Sequence, residues 1–165
     1  MMIVKEHIAH RIVSLEKAAN LKIGDVIPTP RERDDFECAE SKRISEQVFE
    51  EMRKAKFSSL PSRESCLFVL PNDKEKVNLW IKSHNPHNNL DYALLTLQLS
   101  GELIWCDEDT FTKAGIPFFA SKRESLAQDY WGSAKEYYSG FSMPEGLFVG
   151  IATIVDIEHK HHKGI

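Results

Sequence analysis

The chain has few cysteines and no spacing that joins them. Cys38, Cys66 and Cys106 are odd in number and form no CxxC pair, which argues against a disulfide framework and against a zinc knuckle. Long apolar runs are also missing: none approaches the roughly 18 residues that a membrane-spanning helix needs. The opening Met1-Met2-Ile3-Val4-Lys5-Glu6-His7 brings charge in at once and lacks signal-peptide anatomy. Walker A, GxGxxG, HExxH and GxSxG patterns are absent, so several familiar enzyme classes lose support together. Neither sign of charge dominates. A formal net charge of −4 disfavours a nonspecific, high-affinity nucleic-acid or membrane-surface binder. Small basic spots, Arg53-Lys54-Ala55-Lys56 and Ser121-Lys122-Arg123, still leave a nucleic-acid substrate open. These absences lead to the expectation of a soluble cytoplasmic protein with reduced thiols, no membrane contact and no metal.

What is present has the proportions of an ordinary globular protein, 42% hydrophobic and 28% charged residues. A length of 165 residues suits one domain, read as residues 1–158 with an exposed tail at 159–165. Residues 20–40 carry Gly24, Pro28, Pro30 and the charge run Arg31-Glu32-Arg33-Asp34-Asp35 and read as a loop-rich connection. Ser41 then stands where it can cap a helix bearing Ile44, Val48, Phe49, Met52 and Ala55, with Pro61 closing that segment. Residues 65–70 form a short apolar run before Pro71-Asn72-Asp73, which suits a buried strand. Asn72 or Asp73 caps a following helix with Val77, Trp80 and Ile81. Residues 92–99 alternate as a strand, Ser100-Gly101 bends the chain, and Leu103-Ile104-Trp105 follows. Ser121 with Glu124 matches a capping box ahead of a helix with Leu126, Ala127, Tyr130, Trp131 and Ala134. Two strands, 146–149 and 152–157, complete the pattern. Helices and strands intersperse without regular βαβ repetition, which points to an α+β fold.

Chemistry-bearing residues divide into several groups. His159, His161 and His162, with His84 or His87, have the residue type to hold a metal, but isolated histidines lack the supporting contacts that fix ligands, and an exposed polar tail and loop explain them better. Tyr130-Trp131 and Tyr137-Tyr138 either stack on a ligand or fill a core. Glu102, Asp107, Glu108 and Asp109 surround the end of a strand, where a solvated turn accounts for most of them. Glu145 is different: it is a single carboxylate in Pro144-Glu145-Gly146-Leu147-Phe148-Val149-Gly150, at the mouth of an apolar strand and outside any charge run.

The order of segments 65–69, the helix with Trp80, and 92–99 leading into Ser100-Gly101-Glu102-Leu103 resembles the middle of rifamycin ADP-ribosyltransferases, with Trp105-Cys106-Asp107-Glu108-Asp109 as the acidic loop. A family of uncharacterised bacterial domains is similar at Pro61-Ser62-Arg63, Leu67-Phe68-Val69, Ala127 with Tyr130-Trp131, and Glu145 with Leu147 and Gly150. The resemblance runs from about residue 7 to 157 through short motifs. It implies an ADP-ribosyltransferase-like fold, two small sheets around a cleft that holds NAD as substrate, with flanking helices. It also implies a His-Tyr-Glu triad. The histidine falls on His7 or His10, followed by the Lys22-Ile23-Gly24-Asp25 turn, and the acid falls on Glu145. The middle aromatic departs from the pattern, since Leu67 or Phe68 occupies the strand and Tyr130 lies on a helix; Phe68 can still stack on nicotinamide. Asp107 or Asp109 is the alternative acid. Arg63 is the candidate for the pyrophosphate, with guanidinium geometry suited to it.

The implied activity is transfer of ADP-ribose from NAD to a protein, nucleic-acid or small-molecule acceptor, in the setting of a toxin with an antitoxin or regulator, a phage-defence effector or a modifying enzyme. Two alternatives accompany it. RNA 2′-phosphotransferases share the fold but need several cleft arginines, for which Arg63 and Arg123 are candidates and Arg53 is not. A non-catalytic module binding a nucleotide or partner is the other. Residues 25–40, 83–91 and 107–120 are expected to set acceptor specificity.

Overall fold

A computed structural model describes residues 2–31 and 40–162. Cys38, most of the 31–35 charge run and the last residues of the expected tail, 163–165, lie outside the described residues. The chain forms β1 (Met2–Ser14), α1 (Leu15–Ala18), β2 (Val26–Pro28), α2 (Glu40–Lys56), β3 (Leu67–Pro71), α3 (Lys74–His84), β4 (Tyr92–Asp107), α4 (Glu108–Ala114), α5 (Arg123–Gly132) and β5 (Pro144–Lys160). A 3-10 segment, Pro117–Lys122, leads into α5. The architecture is α+β, as the interspersed pattern predicts.

All five strands pair antiparallel in one sheet, where two separate small sheets are expected from the resemblance. β4 pairs with β1 and β5, and β3 joins β1 to β5, so these four strands close on themselves. The reason for one sheet lies in two glycines. Gly101 and Gly150 sit opposite each other in the β4–β5 ladder with φ of 156° and 151°. A Cβ on Gly101 would stand 2.4 Å from the Val149 carbonyl oxygen, and one on Gly150 2.5 Å from that of Ser100. Without side chains there, both strands bend while the ladder continues. The pairs of segments read as separate strands, 92–99 with 103–105 and 146–149 with 152–157, are therefore each one long strand.

Two apolar clusters follow. Ala9, Leu95, Leu97, Leu99, Phe148 and Ile154 meet on one face of the closed sheet. On the other face Ile104, Cys106 and Leu147 pack against Phe49 and Met52 of α2, Phe111 of α4, and Tyr130 and Trp131 of α5. The helix-facing stripe of α2 is Ser45, Phe49 and Met52, while Ile44 and Ala55, expected on it, are exposed. Ser41 is the second residue of α2, where its carbonyl accepts from the Ser45 hydroxyl. Asp73 does cap α3, accepting from the Lys76 N–H at 3.2 Å. The Ser121–Glu124 capping box does not form: the 3-10 segment feeds directly into α5, and Lys122 precedes it without a side-chain cap. His159 and Lys160, read as tail, extend β5 opposite Ala93 and Tyr92.

Candidate active site

Glu145 enters β5 between Pro144 and Gly146, and the small residue after it matters. A Cβ on Gly146 would stand 2.7 Å from Val69 Cγ2 and 2.9 Å from Trp105, so only glycine lets β5 approach β3 and β4 closely enough to bury the preceding carboxylate. Glu145 is 7% exposed. Arg63, from the turn before β3, donates from NH1 to Glu145 Oε1. The same nitrogen donates to the Tyr130 hydroxyl at 2.6 Å, and that hydroxyl donates to Glu145 Oε1 at 2.6 Å. The rest of the guanidinium is held by Glu46 of α2, Nε to Oε2 at 3.1 Å and NH2 to Oε1 at 3.3 Å. It lies over the Phe111 ring at 3.7 Å and near Phe68 at 4.7 Å.

The electrostatics follow from burial. Burial alone would lower the Arg63 pKa, but the Glu145 and Glu46 charges and the Glu46 hydrogen bond outweigh it and hold Arg63 firmly cationic. For Glu145 burial pushes the carboxyl above its ordinary value, and the nearby Arg63 charge pulls only part of that back. Burial also raises Tyr130, which stays a neutral donor. Cys106, a buried free thiol beside this group, is pushed up by burial as well, so it offers no thiolate nucleophile.

Arg63 and Glu145 of this network line a cleft of about 760 Å³, within the size range of small-molecule sites. Arg11 and Ser14 reach it from β1, Lys17 from α1, Lys42 from α2, Phe68 from β3, and Arg31 also lines it. Arg11 donates to the Phe68 carbonyl at 2.9 Å. Lys17 and Lys42 make no ion pair with a described residue. One wall is a small cluster joining α3 to α4. The His84 ring stacks on Trp80 at 3.8 Å and its Nε2 meets Glu108 Oε1 at 2.8 Å. Trp80 Nε1–H donates to Glu108 Oε2 at 2.9 Å. Burial lowers the His84 pKa, but the Glu108 bond and the Trp80 carbonyl overcome this and raise it.

The candidate residues thus divide. Glu145, Arg63, Tyr130 and Phe68 come together. His7 and His10 do not line the cleft, and the cleft-facing part of β1 begins at Arg11. A bulge between Val4 and His7 turns His7 into a separate groove of about 600 Å³ with Trp105, Tyr137 and Tyr138, where burial lowers its pKa. His10 is bound between Asn72 Oδ1 and Thr96 Oγ1, at 3.0 and 3.3 Å. Asp107 caps α4, accepting from the Asp109 and Met143 N–H groups, and Asp109 accepts from the Ser142 hydroxyl. The acidic-loop residue in the cleft is Glu108. Trp131 belongs to the core, its indole N–H bound to the Phe49 carbonyl at 2.8 Å. Arg63 is engaged with carboxylates at every nitrogen and holds the acid; it is not an open pyrophosphate ligand. Arg123 donates to the Ala114 carbonyl and lies off the cleft lining. Of the tail and loop histidines, His161 and His162 face Asp91. The cleft cations Arg11, Lys17, Arg31 and Lys42 had no signal in the sequence beyond their charge.

Residues 2–160 match the model of a family described as "Protein of unknown function (DUF2441)", and the chain belongs to that family. No curated protein matches the chain.

Proposed function

We propose that this DUF2441-family chain is an ADP-ribosyltransferase-like enzyme that takes NAD in the cleft and uses Glu145 as its acid. The observation that carries the reading is a buried carboxylate, Glu145, lining a cleft that Arg11, Lys17, Arg31 and Lys42 also line. Lys17, Lys42, Arg11 and Arg31 supply the positive field a pyrophosphate requires, and the Phe68 face offers a stacking surface for the nicotinamide ring. In the reaction the ribose C1′–N bond breaks and its electron pair leaves with the nicotinamide nitrogen. The ribose becomes an oxocarbenium-like cation, as in glycoside cleavage. Ionised Glu145, preorganised and little hydrated, stabilises that cation. The acceptor lone pair then forms the new bond to C1′, and the acceptor proton passes to Glu145 or to water. His84, Glu108 and Ile116 bring the segments expected to choose the acceptor, protein, nucleic acid or small molecule, to the cleft wall.

The test is nicotinamide release from NAD with cell extract as acceptor. Wild-type release that falls about a hundredfold or more in Glu145→Gln, with Glu50→Gln unaffected, supports the reading. No release together with no NAD binding by calorimetry overturns it in favour of a binding module. A second reading, removal of a 2′-phosphate from RNA with NAD, is favoured by one observation: Arg11, Arg31 and Arg63 line one cleft. Loss of the 2′-phosphate from a phosphorylated oligoribonucleotide, dependent on NAD, would select it.

A further inference from the structure

Both donors that reach Glu145 end on the same oxygen, Oε1. Oε2 has no hydrogen bond with a described residue, yet no buried side-chain oxygen or nitrogen lacks a partner. Oε2 therefore retains solvent access, and Glu145 lines the cleft. The Tyr130 hydroxyl has one proton. Because it accepts from Arg63 NH1, that proton is left for Glu145. The ring itself cannot wander: it packs edge-on against Phe49 and Trp131 with centroids 5.2 and 4.9 Å away.

We infer that Tyr130 is a positioning residue for Glu145, pinning the carboxylate through Oε1 so that Oε2 alone meets the ligand. The inference rests on the reading of Glu145 as the acting acid. A carboxylate free to rotate would present either oxygen, and a supporting contact on a rigid helix removes that freedom. Arg63 alone would leave the carboxylate tethered by one guanidinium nitrogen. Around Glu145 stand Arg63 from the turn before β3, Tyr130 from α5, Glu108 from α4 and Cys106 from β4, with Glu46 of α2 acting through Arg63. The Tyr130 bond favours the ionised acid and Glu108 opposes it.

The test uses the full chain with ¹³C-carboxyl-labelled glutamate, the Glu145 resonance being the one lost in Glu145→Gln. In Tyr130→Phe the Glu145 titration is expected at higher pH than in wild type. The kcat for nicotinamide release is expected to fall about tenfold with KM for NAD unchanged, the loss of roughly one charged hydrogen bond. An unchanged titration overturns the inference. A measurement on the wild type needs no variant: the Tyr130 Cζ resonance should follow pH with the same midpoint as the Glu145 carboxyl carbon, and an independent midpoint overturns the inference. A wild type that releases no nicotinamide counts against the NAD reading, while the two titrations still decide the role of Tyr130.

Discussion

Glu50 on α2 and Glu145 on β5 have side chains of similar exposure, 8% and 9%, and each faces an arginine. Their oxygens are used differently. Glu50 Oε1 accepts from Arg53 NH2 at 2.6 Å, while Oε2 accepts from Arg53 Nε at 3.1 Å and from the Ser62 hydroxyl at 2.9 Å. Both ends are occupied, and although burial raises the Glu50 pKa, the Arg53 and Ser62 bonds bring it below the ordinary value. Glu145 receives both donors on one oxygen, and burial wins. A similar side-chain exposure and an arginine partner therefore do not make equal sites. Glu145 lies deeper than Glu50 and also keeps an oxygen for something outside the protein, and perturbed acids in clefts are where chemistry concentrates.

The comparison breaks most visibly when the arginines are removed. Arg63→Met strands Glu145 and Glu46 in a dry environment, with an expected stability loss of about 3–5 kcal/mol in urea unfolding. Arg53→Met, at a pair closer to water, should cost only about 1.5 kcal/mol. Similar losses for the two would erase the distinction.

A finer effect comes from pH. The folded Glu50 pKa lies below 4.5, so its contribution is present above pH 4.5 and disappears as pH falls through the folded value. The folded Glu145 pKa lies above 4.5, so its contribution is present below pH 4.5 and disappears as pH rises through the folded value. Glu50→Gln should flatten the acid limb of the stability curve, and Glu145→Gln the decline above pH 4.5. The same sign for both would contradict the assigned directions.

The smallest expected change belongs to His84. Its raised pKa gives a contribution complete below pH 6.5 and lost as pH rises through the folded value. His84→Gln should therefore narrow the Tm difference between acidic and alkaline buffers. An undiminished difference would show that the His84–Glu108 pair is silent.

The sequence made local features legible. A helix cap at Asn72 or Asp73 is legible, and Asp73 takes it; the Lys22–Asp25 turn forms with Gly24 at φ 96°. Glu145 stood out because it is a lone charge between Pro144 and Gly146. Arg63 and Tyr130 stood out singly, as candidates to meet the ligand, but not as partners of Glu145, because they lie 82 and 15 residues away and only the closed sheet brings the three together. His7 misled because one bulged residue changes which way a strand residue points. Ser121 misled because a capping box needs a chain that is not already helical. Lys17 and Lys42 resemble any surface lysine until the cleft is drawn around them.

The closed path through β1, β4, β5 and β3 also bears on how the chain reaches this state. Every strand in the ring waits for a distant partner: Met2 pairs with Leu103 and Tyr92 with Lys160. Such non-local pairing slows folding relative to helical proteins of this size. Synthesis delivers β5 after all its partners, so a ribosome-bound chain ending before Pro144 carries β2, β3 and β4 with unpaired edges. Glu145 arrives with the strand that closes them. The nascent protein thus lacks the Arg63–Tyr130–Glu145 network until its sheet can shut.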